Sequence, residues 1–115
     1  MKGMIGYYLR VNSLIPYKLN GDGKYLLLSR LVEDTEIFFL RGGKSFEMHK
    51  DIVIQVEAEL GVSVNVYGGG RVEINESISQ IIFSGSSQRY GALLFPEKVE
   101  EIIKATYPGW LVLFL

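Results

Sequence analysis

The chain has no cysteine and a single histidine among its 115 residues. Without cysteine there is no disulfide, no thiolate metal ligand and no thiol nucleophile. One histidine excludes a multi-histidine metal site. An excess of charge is missing too: 12 basic against 13 acidic residues leave a net charge of −1. A general nucleic-acid or acidic-membrane binder is normally basic, so neither partner is expected. No apolar run approaches the roughly 20 residues of a membrane span. The stretch after Lys2 mixes Gly3, Gly6, Tyr7 and Arg10 and lacks the apolar block of a signal peptide. The expected compartment is therefore the cytoplasm. Internal repeats and low-complexity tracts are also absent.

What is present suits one globular domain spanning 1–115. Apolar residues make up 48% of the chain and charged residues 22%, enough for one core without staples. Turn signals fall at Leu19–Gly23, Arg41-Gly42-Gly43, Gly68-Gly69-Gly70 and Tyr107-Pro108-Gly109. Strands are predicted over Lys24–Val32, Glu36–Leu40, Val62–Tyr67, Arg71–Asn75, Gln80–Ser84 and Trp110–Leu115, with Ile5–Val11 as a further edge strand. The Leu-rich first of these suits a strand covered on both faces, with a short buried helix as the alternative. Val62, Val64 and Val66 alternate with Ser63 and Asn65, and Val72 and Ile74 alternate with Arg71 and Glu73.

Two segments carry a helical period. Ile52, Val53, Val56 and Leu60 share one face of a helix starting near Met48–Asp51, with Gly61 as its stop. Pro96 suits the first position of a second helix, with Val99, Ile102 and Ile103 inward. The fold class is therefore α+β, a mixed sheet of about six strands flanked by two helices.

His49 is the one side chain that titrates near neutrality without perturbation. At a helix N-terminus the imidazolium is disfavoured, so a neutral general base is one reading; an ordinary surface histidine is the other. Arg41-Gly42-Gly43-Lys44-Ser45 superficially suggests a phosphate loop, but Phe38 stands where the Walker pattern needs glycine. Gly68-Gly69-Gly70-Arg71 joins two predicted strands, so it is not a dinucleotide fingerprint. It reads as a hairpin or bulge, or as a close approach to a ligand with Arg71 beside it. Gly85-Ser86-Ser87-Gln88-Arg89-Tyr90-Gly91 reads as a flexible loop or as an anion nest. Lys24, Arg41, Arg71 and Arg89 near strand ends could form a positive pocket or only salt-laced surfaces.

These residues together resemble the Janus/ocnus family, the family of the small phosphohistidine phosphatases. The likeness runs from about Ser13 to the C-terminus and leaves 1–12 as an N-terminal extension. It rests on Gly68-Gly69-Gly70-Arg71, Ser87-x-x-Tyr90-Gly91, Glu97-Lys98 and Lys104-x-x-Tyr107-Pro108. Upstream it includes Asp22-x-Lys24-Tyr25, Arg41-Gly42-x-Lys44 and His49-x-Asp51-Ile52. The resemblance implies a phosphoamidase that needs no metal or other cofactor and acts on a phosphohistidine-containing protein. By resemblance His49 is catalytic, and Lys24, Arg41 and Arg71 surround the phosphate. The loop of Ser87, Gln88 and Arg89 holds its oxygens, and Gly68, Gly69 and Gly70 border the pocket.

The chain departs from the family pattern in three places. Met48 replaces a tyrosine, and Arg89 replaces a small residue. An apolar end, Trp110–Leu115, stands where a polar tail is usual. Such an end is either buried or paired with a second copy. A non-catalytic phosphate-binding module on the same fold is the alternative reading. An interaction protein acting through its apolar ends is a third.

Overall fold

The Leu-rich stretch forms the middle of a sheet in the computed structural model, which describes residues 16–115. In chain order the elements are β1 (Tyr17–Asn20), β2 (Gly23–Val32), β3 (Thr35–Gly43) and α1 (His49–Leu60). Then come β4 (Asn65–Asn75), a 3₁₀ turn (Glu76–Ile78), β5 (Gln80–Ser84), α2 (Pro96–Thr106) and β6 (Leu111–Phe114). The six strands make one sheet in the order β1-β3-β2-β4-β5-β6. The two outer pairings, β1 with β3 and β5 with β6, are parallel, and the three inner ones are antiparallel. This is the expected α+β class with a mixed sheet. The suggested strand over Ile5–Val11 and the extension over 1–12 lie outside the described residues.

Alternation along β2 gives each helix its own face of the sheet. Leu26, Leu28 and Val32 pack with Phe39, Ile52 and Val56 under α1. Tyr25 and Leu27 pack with Leu40, Val72, Phe83, Val99, Ile102 and Ile103 under α2. Burying such a side chain contributes roughly 1.5–3 kcal/mol. That is why an amphipathic helix of ordinary propensity stays docked. α1 starts at His49 because the Asp51 carboxylate accepts the Met48 N–H at 3.3 Å. It stops at Gly61, whose φ of +72° lets its N–H reach the Glu57 carbonyl at 2.8 Å. Pro96 opens α2 as the sequence predicts.

Four local expectations are corrected. Arg41-Gly42-Gly43 is not a turn but the end of β3. A Cβ at Gly42 would sit 2.1 Å from the Lys24 carbonyl oxygen, so glycine is needed for strand contact. Val62 is exposed in the connection before β4, and strand pairing begins only at Asn65. Leu19 and Asn20, read as part of the turn signal Leu19–Gly23, instead end the edge strand β1. Gly68-Gly69-Gly70 does not join two strands; it lies inside one.

Within β4 the pairing with β2 shifts between Leu26 and Leu28, so Tyr67 and Gly68 together face Leu27. This bulge, with Gly68 at φ +83°, changes which face even-numbered residues occupy. Val64 and Val66 pack under α1, whereas Val72 and Ile74 pack under α2. Arg71 is consequently delivered to the α1 face, directly opposite Lys24 on β2.

At the other edge, the Phe114 ring of β6 stacks on Phe83 at 5.4 Å, while Leu111 and Leu115 are exposed. The apolar end is thus half covered. No helix among the described residues is long and apolar enough to cross a membrane.

Candidate active site

His49 is the first residue of α1, and its half-buried ring is fixed from the sheet side. Nε2 lies 2.9 Å from the carbonyl oxygen of Gly70 in β4. A carbonyl only accepts, so Nε2 carries the hydrogen and Nδ1 of the neutral ring keeps its lone pair. Burial pushes the His49 pKa below its ordinary value. The Gly70 carbonyl pulls the other way, and the charges of Lys24 and Arg71 reinforce burial. The downward effects win, so the ring is neutral at pH 7.

The ring forms part of the wall of a pocket of about 440 Å³. Lys24 contributes to it from β2, Glu47, Met48 and Lys50 from the start of α1, and Ser86, Ser87, Gln88 and Arg89 from the loop after β5. Three cations and the positive end of a helix of 12 residues meet there. An anion is the ligand such a wall favours.

The serine loop is held by its own hydrogen bonds. Ser87 N–H donates to the Gly91 carbonyl at 3.1 Å, and Gly91 N–H returns a bond to Ser87 at 2.8 Å. Tyr90 N–H donates to Ser87 Oγ at 3.1 Å, which leaves the hydroxyl hydrogen of Ser87 to donate elsewhere. The Gly91 carbonyl also accepts the Gly69 N–H at 3.2 Å. The bulged strand therefore holds both sides of the pocket. Gly70 orients the imidazole and Gly69 anchors the loop.

Five of the ten sequence-predicted site residues converge. Lys24, His49, Ser87, Gln88 and Arg89 are on the wall. Arg89 is exposed there, its guanidinium 5.7 Å from the Tyr90 ring centre. Arg71 is exposed and off the wall, but it stands beside Lys24 and its charge reaches His49. Gly68, Gly69 and Gly70 do not line the pocket and act through the backbone bonds just described. Arg41 is the clear departure. It is 3% exposed, with Nη1 donating to its neighbour Leu40's carbonyl at 2.9 Å and its guanidinium carbon 4.8 Å from the Phe39 ring centre. Burial lowers its pKa and the charge of Glu59 opposes that. The side chain lies on the α1 face of the sheet and is not among the residues that line the pocket.

Glu47, Met48 and Lys50 line the pocket without having been singled out. Their signal was adjacency: residues flanking the first position of a helix share the space its N-terminus faces.

A mixed sheet between two helices, with a neutral imidazole in a cationic pocket at a helix start, defines the class. The Janus/Ocnus family model matches residues 13–110, and the chain belongs to the Janus/Ocnus family. A search of the curated proteins returns no match.

Proposed function

We propose that this protein is a metal-independent protein phosphohistidine phosphatase, a phosphoamidase with His49 as its general base. The observation that carries this reading is the bond between His49 Nε2 and the Gly70 carbonyl, which leaves Nδ1 as the acceptor. A water on phosphorus gives its proton to Nδ1 as its oxygen bonds to phosphorus. The P–N bond breaks, and its electron pair passes to the leaving nitrogen of the substrate. Such a phosphoryl group carries its charge on the peripheral oxygens, so positioned cations do most of the work. Lys24, Arg71 and Arg89 supply that charge, and the Ser87 hydroxyl supplies a neutral donor. Phosphohistidine in a cytoplasmic protein is the substrate, and phospholysine offers the same P–N bond.

The test is phosphate release from a phosphohistidine peptide. His49→Ala should lower turnover by about 10²–10⁴-fold, the usual contribution of a positioned base, while inorganic phosphate still binds. Unchanged turnover would remove His49 from catalysis. Phosphate binding without turnover by the unmutated protein would favour a non-catalytic phosphate-binding module. Phosphate trapped covalently on His49 would make the ring a nucleophile instead of a base.

A further inference from the structure

Among the described residues, Glu47 is the one carboxylate on the pocket wall, beside Lys24, Lys50 and Arg89. A carboxylate there opposes binding of a phosphate dianion, since like charges in a shared site repel. Glu47 is exposed on that wall, where its charge favours a ligand that also carries a cation. The ion pairs formed by the described residues, Lys18 with Glu59, Lys98 with Glu101 and Lys104 with Glu100, do not involve it. A P–N substrate brings a cation that a phosphate ester does not. The phosphorylated imidazole is reactive when its far ring nitrogen is protonated. The P–N bond then breaks to give a neutral imidazole that keeps that proton, and no proton needs to come from the protein.

We propose that Glu47 reads the leaving group: its carboxylate accepts a hydrogen bond from the protonated nitrogen of the substrate and so selects P–N over P–O substrates. This rests on the phosphohistidine reading above. The phosphoryl end meets the cations and the helix start, and the nitrogen end meets the carboxylate. Opposite charges at opposite ends of one ligand give orientation as well as affinity. The same carboxylate also raises the protonated share of the bound substrate, as an adjacent negative charge does for any imidazole.

The experiment compares the unmutated protein with Glu47→Gln, which keeps shape and removes charge. Two quantities are read at pH 7: kcat/KM on a phosphohistidine peptide, and the inhibition constant of inorganic phosphate, which has no leaving group. Glu47→Gln should lose about tenfold or more in kcat/KM, in line with a charge-assisted hydrogen bond, while phosphate inhibits equally well or better. Equal weakening of both would mean a general structural role and would overturn the proposal. An unchanged kcat/KM would overturn it as well, with the phosphatase reading intact. No phosphate release by the unmutated protein would instead overturn the phosphatase reading, and this proposal with it.

Discussion

His49 Nε2 lies 2.9 Å from the carbonyl oxygen of Gly70, a residue 21 positions further along the chain. This contact joins the start of a helix to the stretch of strand just after a bulge. It settles three things at once: the tautomer of the ring, its orientation, and the nitrogen left to accept a proton.

The first prediction concerns pH. Burial and the charges of Lys24 and Arg71 hold the His49 pKa below its ordinary value of about 6.5. The acid limb of kcat/KM should therefore fall below that of a free histidine. Stability should follow the same window. Between about 6.5 and the lower folded value the unfolded chain binds a proton that the folded chain does not. The contribution is thus present above about pH 6.5 and is lost as pH falls through the window. Denaturant midpoints of the unmutated protein and His49→Gln, compared across pH 5–7, measure it. Parallel curves would contradict the shift.

Lys24 and Arg41 should behave differently. Lys24 lines the pocket, whereas Arg41 packs against Phe39. Lys24→Met should weaken inhibition by inorganic phosphate by roughly tenfold, the loss of one charge-assisted contact. Arg41→Met should change that constant less than twofold and lower the melting temperature instead. Arg71→Ala, beside Lys24 but exposed, should weaken phosphate inhibition without a comparable loss of stability. Equal phosphate effects from Arg41 and Lys24 would mean that Arg41 reaches the ligand.

Gly68 should tolerate no side chain. A Cβ there would lie 2.0 Å from the Ala92 carbonyl oxygen, on a residue already at φ +83°. Overpacking and left-handed strain together should make Gly68→Ala less stable by about 3 kcal/mol, read from urea unfolding. The residual fold should also lose phosphate affinity, because Ala92 follows the loop that carries Ser87. A variant of ordinary stability would mean that the bulge is soft.

Much of this architecture is legible in the chain itself. Both helices are visible because their apolar positions follow a 3.6-residue period with a glycine or proline at the boundary. Of the central strands, β2 is visible as a Leu-rich run and β4 from its alternation. The bulge is not, because Val64, Val66, Val72 and Ile74 share a parity that suggests one common face. A single extra residue at Gly68 separates them, and only the register with Leu26 and Leu28 reveals it. β1 is missed because four residues beside an Asn-Gly turn are a weak strand signal. Arg41 looks like a phosphate ligand because charge is visible in sequence and burial is not. Glu47 is passed over because an acid is not sought in a pocket for an anion.

A fourth prediction tests the polar network at the far end of the sheet. Ser29 Oγ donates to Glu36 Oε2 at 2.6 Å, and the Tyr67 hydroxyl donates to the same oxygen. The bonds from Ser29 and Tyr67 hold the Glu36 carboxyl below the usual range. Its stabilising effect is present above the ordinary carboxyl pKa and is lost as pH falls through the lower folded value. Tyr67→Phe should remove part of that pH dependence between about pH 3 and 5. An unchanged acid-unfolding curve would contradict it.

The most direct measurement is nitrogen NMR of the His49 ring through a pH titration of the unmutated protein. A neutral ring with hydrogen on Nε2, bare Nδ1 and a midpoint below about 6.5 is the result this account predicts, with the Nδ1 signal moving when inorganic phosphate is added. A ring carrying its hydrogen on Nδ1, titrating at or above that value and indifferent to phosphate, would contradict it.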